Sequence, residues 1–373
     1  MKKTFSGRLL AVTFIVLCLW LPTQAQSANK SIKVGAYYYD GWGGKNAKAD
    51  DPSQPWAKNV PRQVTKRMLD EFPDREPVWG WRNDSQEIME RQIDLAADNG
   101  IEFFLFCWYW RDTQGPINLE AIAKLPGHES MNRYLKAKNK NRIKFALLVA
   151  NHQGAEITGT DNWEQATAHW MQYFNDPQYM QVNGKPLVVI FNSKGVENES
   201  LTKMQEVSKQ GGLPQGLTIA GCGNTAGKNF DVTTHYNVVP GYAGGHEEHQ
   251  YAELADAQRA KWVGTKAQPY IPTVIAGWDK RPWEDASGNG KGGAKQGWYY
   301  TGRTPGQFKD FLGDAVRWMD EHPDQTVPER LLLIYAWNEL GEGGYLVPTK
   351  GDPKALYLKA VKEVVRDQNK QIK

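Results

Sequence analysis

Eight short apolar runs recur along the chain: Lys33–Tyr39, Ile101–Tyr109, Ile143–Ala150, Pro186–Phe191, Leu217–Cys222, Val232–Tyr236, Tyr270–Ala276 and Leu331–Trp337. Most are continuous rather than alternating, and they are rich in β-branched and aromatic residues. That pattern belongs to strands buried on both faces, as in a parallel sheet. Helix-period segments lie between them. Ser85–Asn99 has Ser85 as a candidate N-cap and stops at Gly100, and Asp161–Phe174 ends before Asn175-Asp176-Pro177. His249–Val263, Pro305–Glu321 and Pro353–Asp367 are the others. Strand and helix alternating about eight times predicts an α/β fold, a single (β/α)8 TIM barrel with long βα loops. A doubly wound open sheet is the alternative. It calls for a dinucleotide or phosphate fingerprint that the sequence lacks.

The amino-terminal segment reads differently. Lys2, Lys3 and Arg8 precede an apolar run, Leu9–Leu21, that is shorter than the ~20 residues needed to span a bilayer. Thr23-Gln24-Ala25 then offers a small-x-small cleavage site. Residues 1–25 are therefore expected to be a signal peptide and 26–373 the (β/α)8 catalytic domain, exported to the periplasm or the extracellular space. Leu17 before Cys18 is too large for a lipoprotein box, so no lipid anchor is expected.

Removing the leader changes the charge. The chain has 45 Lys and Arg against 42 Asp and Glu; the leader carries three of the basic residues and no acids, which leaves 42 of each sign. No basic field remains to attract nucleic acid, and no membrane span is expected after cleavage. The mean hydropathy of −0.62 also excludes a multi-span membrane protein. Cys107 and Cys222 survive cleavage at predicted strand ends. They are expected to be buried free thiols, not a disulfide framework.

The composition includes 15 Trp and 16 Tyr, side chains with a flat apolar face and a polar edge that suit stacking on sugar rings. In a barrel, the C-terminal ends of the strands converge on the active site. Those ends carry Tyr37-Tyr38-Tyr39-Asp40-Gly41-Trp42, Trp108-Tyr109-Trp110-Arg111-Asp112, Asn151-His152, Asn192, His235-Tyr236-Asn237 and Gly277-Trp278-Asp279-Lys280-Arg281. Trp42, Trp108, Trp110 and Trp278 are candidates for stacking on sugar faces; Asn151, His152, Asn192, Asn338 and Asp279 are candidates for holding hydroxyls. Tyr38 and Tyr236 join this substrate-contact set, and Arg281 is placed to pair an acidic or sulfated substituent.

The last run closes on Trp337-Asn338-Glu339-Leu340-Gly341-Glu342-Gly343-Gly344. Hydrolysis of a glycosidic bond needs one carboxylic acid to protonate the leaving oxygen and a second carboxylate to supply or activate a nucleophile. Three-residue spacing puts Glu339 and Glu342 on one wall of a pocket if the chain turns helically there. The glycines permit a tight backbone and close ligand approach. Burial beside aromatics raises the pKa of one glutamate, as an acid requires. The rival reading of the pair is a solvated helix start.

Two other patterns carry less. His246-Glu247-Glu248-His249 is shorter than the zinc-binding His-Glu-x-x-His spacing, and no metal or cofactor is expected. Ser287–Gly293 has neither the Ser or Thr after its lysine nor the preceding strand of a phosphate-binding loop. It is expected to be a mobile loop over the barrel mouth.

The segment Tyr335–Leu346 closely resembles the signature of the WbsX-like, glycoside hydrolase family 99-like proteins. Tyr37-Tyr38-Tyr39, Phe106–Trp110, Ala150-Asn151-His152, Tyr179–Pro186 and Gly277–Pro282 agree with that family in order and position. The resemblance implies a secreted (β/α)8 glycosidase that cleaves an α-linked glycan, in family 99 proper inside a mannan chain and with retention. Carried over by position, Glu339 would deprotonate the sugar 2-hydroxyl to give a 1,2-anhydro intermediate, and Glu342 would act as acid and then base. Leu340 and Gly341 depart from the family pattern, an aromatic and a larger polar residue being usual there, and both flank the glutamates. The related family is named for a proposed glycosyltransferase role, but the chain shows no nucleotide-phosphate site and no Asp-x-Asp. The alternatives are a non-catalytic glycan-binding protein on the same scaffold and a glycosyltransferase or transglycosidase.

Overall fold

The computed structural model describes residues 1, 31–110, 122, 126–284 and 295–371. Residues 2–25 of the expected leader, Arg111, Asp112 and the Ser287–Gly293 segment lie outside the described residues. Each of the eight apolar runs contains one strand of a parallel sheet. They are β1 Lys33–Tyr38, β2 Ile101–Trp108, β3 Lys144–Val149 and β4 Lys185–Ile190. Then follow β5 Thr218–Cys222, β6 Val232–Thr234, β7 Thr273–Ile275 and β8 Leu331–Tyr335. Their order in the sheet is β6-β5-β4-β3-β2-β1-β8-β7. A parallel bridge from Thr233 to Tyr270, just before β7, brings the two edges together and leaves the barrel nearly closed.

Strand interiors are buried on both faces, which is why these runs carry no polar alternation. The two faces differ in what they meet. Tyr37 points into the barrel and donates its hydroxyl across it to the His235 carbonyl at 3.1 Å. Its neighbour Tyr38 points outward, donating to Gln92 at 3.2 Å on the surrounding helix layer.

Helices on the outside follow most strands. They are α1 Gln86–Asp98, α2 Glu129–Lys136, α3 Thr160–Phe174 and α4 Asn198–Gln210, then α5 Tyr251–Arg259, α6 Pro305–Glu321 and α7 Leu356–Gln371. The capping chemistry agrees with the sequence. The Ser85 hydroxyl accepts from the Ile88 N–H at 3.1 Å, and Thr304 and Gln307 form a reciprocal capping box at α6. Helices α2 and α4 go beyond the periodicity reading. α5 begins later than expected because Glu248–Gln250 pairs as a short parallel strand with Tyr299–Thr301. No described helix separates β5 from β6, so the barrel lacks one of its eight helices. No helix among the described residues is long and apolar enough to cross a membrane.

Candidate active site

The glutamate motif sits at the C-terminal mouth of the barrel, and the backbone there departs from the expected helical turn. After β8 the chain runs through Ala336 and Trp337 into a tight antiparallel hairpin, with Asn338 opposite Tyr345 and Glu339 opposite Gly344. Gly343 takes a φ of +75° at the turn. A Cβ on Gly344 would lie 2.3 Å from the Tyr335 ring, and one on Gly341 would lie 2.1 Å from Trp283. The glycines therefore let a hairpin, not a helix, bring the two carboxylates to one wall.

Neighbouring strands hold this hairpin in place. Asn338 accepts from the Tyr39 N–H at 2.8 Å and donates to the Tyr39 carbonyl at 2.9 Å. The Asp279 N–H donates to the Glu342 carbonyl at 2.6 Å. Arg75, on a short 3-10 turn between β1 and α1, donates to the carbonyls of Asp279 at 2.9 Å and Leu340 at 3.1 Å, and pairs with the Asp279 carboxylate at 2.5 Å. The end of β7 and the glutamate turn are thus locked together from behind.

In front of the hairpin is a cavity of about 400 Å³. Glu339, Glu342 and Tyr236 form its carboxylate side. Cys107 and Tyr109 follow from β2, Leu148, Ala150, His152 and Gln153 from β3, and Phe191 from β4. Tyr39, Tyr242 and Trp283 complete the wall. The Tyr236 hydroxyl donates to Glu339 Oε1 at 2.5 Å, whereas Glu339 Oε2 is buried with no hydrogen-bond partner among the described residues. The Tyr335 hydroxyl donates to Glu342 Oε2.

These surroundings hold both acids above the ordinary carboxylate range. Burial raises Glu339 well above it, and the negative charge of Glu342 adds to the effect; the Tyr236 hydrogen bond opposes them. Burial pushes Glu342 up to about 7, against the Tyr335 hydrogen bond and the charge of Lys280. Two carboxyls under these conditions titrate as a coupled pair, the first ionisation holding the proton on the other carboxyl. That is the division of labour an acid and a base need. Among the described residues no group of three or more His, Cys, Asp or Glu side chains is gathered around a metal-sized space.

Of the residues singled out from the sequence, the structure brings Glu339, Glu342, Tyr236 and His152 together on the cavity wall. The expected aromatic platforms lie behind it, each 1% exposed or less. Trp42 donates to the Asn338 carbonyl at 2.9 Å and packs on Trp81 and Trp283. Trp108 meets Trp170 of α3 edge-on, Trp110 packs on Trp108, and Trp278 lies against Tyr242 and Tyr335. Tyr38 is turned to the helix layer. Asn151 and Asn192 brace two strand ends: Asn151 accepts from the Asn192 N–H at 2.8 Å and donates to its carbonyl at 3.0 Å. Asn338 is the corresponding brace to Tyr39. Arg281, expected to meet an anionic substituent, is engaged by both oxygens of Asp279 at 2.8 Å and stacks on Tyr299 at 3.7 Å. Asp279 is correspondingly committed to Arg281 and Arg75.

The sequence reading missed Tyr39, Tyr109, Gln153, Phe191, Tyr242, Trp283 and Tyr335. For Tyr39 and Tyr109 a signal was present. Side chains alternate across a strand, so the inward positions skip Tyr38 and Trp108. Cys107 and Cys222 are free and buried, and Cys107 faces the cavity.

Comparison with known proteins adds the context. A family model described as Glycosyltransferase WbsX matches residues 80–243 and 224–361. The protein described as uncharacterized protein WxcX from Xanthomonas campestris pv. campestris (strain B100) is 21% identical over 299 residues, 70% of this chain. The match spans only 39% of that relative's length. Among solved structures, a family 99 endo-α-mannosidase from Bacteroides thetaiotaomicron has a TM-score of 0.60 at 15% identity, covering 90% of this chain and 97% of its own. A glycoside hydrolase-like protein has a TM-score of 0.58 at 16% identity, covering 93% and 97%. These two share the fold.

Proposed function

The chain belongs to the WbsX glycosyltransferase-like family, and on that premise we propose that it is an exported glycoside hydrolase acting on an α-linked glycan. The observation that carries this reading is the pair of buried Glu339 and half-buried Glu342 on one wall of a sugar-sized, tyrosine-rich cavity at the barrel mouth. One protonated and one ionised carboxyl, side by side, is the equipment for cleaving an acetal: the acid protonates the leaving oxygen while the base prepares the attacking group. Glu342 takes the acid/base role and Glu339 the role of assisting an adjacent hydroxyl, whose proton Oε2 is free to accept. Tyr39, Tyr109 and Trp283 supply faces for the sugar ring. The family 99 fold neighbour acts as an endo-α-mannosidase, and an internal α-linkage with retention is the corresponding proposal here.

The family's own description favours transfer as a second reading. The two readings part over the donor: a transferase depends on an activated sugar, and a hydrolase releases reducing ends from the glycan alone.

The test is a reducing-end and product-mass screen of residues 26–373 against α-mannans and rhamnose-rich, fucose-rich and sulfated polysaccharides. Wild type is expected to release oligosaccharides from one class. Glu339→Gln and Glu342→Gln are each expected to lower turnover by about 10²–10⁴-fold with the fold intact. Glycan binding by all three proteins without turnover by any would replace the enzyme with a binding protein on the same scaffold.

A further inference from the structure

The end of β7 carries two adjacent cations, and their surroundings differ. Arg281 is tied to Asp279, as is Arg75. Lys280, between Asp279 and Arg281 in the chain, is 2% exposed, and its Nζ finds no hydrogen-bond partner among the described residues. The ammonium lies 3.9 Å over the ring of Tyr242, a cavity-wall residue. An ammonium buried without an acceptor is costly unless its charge is answered nearby. Burial accordingly lowers the Lys280 pKa, and the charges of Glu284 and Glu342 oppose that.

The position of this cation is fixed relative to one glutamate. Asp279, the preceding residue, donates its N–H to the Glu342 carbonyl at 2.6 Å, and Arg75 joins Asp279 to Leu340. Lys280 and Glu342 therefore ride on one clamped unit. The cation acts on Glu342, which is also bonded by Tyr335. Glu339 is bonded by Tyr236 and feels the charge of Glu342, and no cation among the described residues pairs with it. The phenols of Tyr39 and Tyr242 also face the pair, and His246 lies 3.8 Å from Glu284, whose charge also acts on Lys280.

We propose that Lys280 is a positioning residue that decides which glutamate keeps the shared proton, favouring ionised Glu342 and leaving the proton on Glu339 in the resting site. This rests on reading the pair as an acid and a base. It adds a step to that reading. If Glu342 is to protonate a leaving oxygen, the proton must first pass from Glu339 to Glu342. That transfer leaves the charge of the pair unchanged and needs no co-reactant.

The test reads the carboxyls directly. The mature protein is prepared with 13Cδ-labelled glutamate, and the two signals are assigned with Glu339→Gln and Glu342→Gln. In wild type Glu342 is expected to ionise at lower pH than Glu339. In Lys280→Met the Glu342 midpoint is expected to rise by about one unit, a tenfold change in its proton affinity. Lys280→Arg is expected to keep it near the wild-type position. An unmoved Glu342 midpoint in folded Lys280→Met overturns the proposal.

If Lys280→Met does not fold, the reciprocal measurement decides. Coupling between two titrating sites is mutual. Glu342→Gln must therefore lower the Lys280 midpoint, read from 13Cε-labelled lysine, and an unchanged midpoint overturns the proposal equally. Neither titration uses a glycan. Shifted signals without turnover would remove the hydrolase reading alone, and turnover with unshifted signals would remove the Lys280 role alone. With an active enzyme, Lys280→Met also moves the acidic limb of kcat/KM, set by the group that ionises first, to higher pH, which loss of packing would not do.

Discussion

Glu342 is held where an isolated carboxylate would rather not be. Its pKa of about 7 in the fold lies above the value of about 4.3 for an unperturbed glutamate. A carboxyl whose folded pKa is raised binds more protons folded than unfolded between those two values, so its contribution to stability falls as pH rises across that window. Glu342→Gln removes the titration while keeping an oxygen for the Tyr335 hydroxyl. The variant is expected to match wild type in stability near pH 4 and to exceed it at pH 8 by up to about 3 kcal/mol, the partial opening of the side chain to the cavity reducing that figure. Urea unfolding of both proteins at the two pH values measures it. A stability difference that is the same at both would show that the site imposes no such cost. A gain in stability coupled to loss of turnover is the mark of a group kept for chemistry. The same residue scale explains how much of the site the sequence revealed. Glu339 and Glu342 were legible because two carboxylates among glycines after a strand are rare and chemically specific. The aromatics were legible as a cluster but not one by one. Shifting by a single position along a strand moves a side chain from the cavity to the helix layer, which is why Tyr39 and Tyr109 line the site while Tyr38 and Trp108 pack behind it.

The hairpin that presents the glutamates owes its position to an element distant in sequence. Arg75 donates to two carbonyls and one carboxylate, linking the end of β7 to the Leu340 turn from a 3-10 segment that carries no cavity residue. Burial drives the Asp279 pKa up, but the guanidinium groups of Arg281 and Arg75 hold it below the ordinary range. Arg75→Met removes one of these and leaves two buried carbonyls with one donor fewer. Breaking a buried pair in this way costs about 3 kcal/mol or more, and the retained Arg281 keeps it toward the lower end. Arg75→Lys is expected to recover only part of the loss, because a single ammonium cannot reproduce the planar fork that reaches all three acceptors. Denaturant unfolding of the two variants checks both statements, and full rescue by lysine would show that charge alone suffices. Elements were unevenly legible for physical reasons. Parallel strands announce themselves because both faces are buried. Helix α4 does not, since its buried face is Ser200, Leu201, Met204 and Ser208, half of it hydroxyls. Helix α2 spans only 8 residues, too short for a periodic stripe to stand out. The spacing of Glu339 and Glu342 fits a helical turn as well as a hairpin, and the choice fell to a left-handed glycine and the packing of Tyr335 and Trp283 against the turn.

At the scale of the whole molecule, the barrel is organised around its first strand. β1 pairs with β2 on one side and β8 on the other, so the earliest of the described strands joins the two halves of the sheet and places Tyr39 opposite Asn338 of the glutamate hairpin. This sets a boundary on export. The proposed cleavage after Ala25 leaves residues 26–32 between the new amino terminus and Lys33, the first residue of β1. Removal of residues 1–25 takes away the apolar run and three positive charges and leaves every described strand in place. Protein recovered from the periplasm or medium is therefore expected to begin at residue 26 by intact mass, and its thermal unfolding to match that of residues 26–373 made directly. Deleting through Tyr38 instead exposes the pairing edges of both β2 and β8 and removes the Asn338 brace. That truncation is expected to abolish cooperative unfolding altogether. A mature terminus beyond Lys33 would contradict the export reading, because a signal peptidase cannot remove a central barrel strand and leave the hairpin of Glu339 and Glu342 in place. A cooperative fold without β1 would contradict the closure argument, because β8 and the glutamates it carries would then have to be held by β7 and the Arg75 clamp alone.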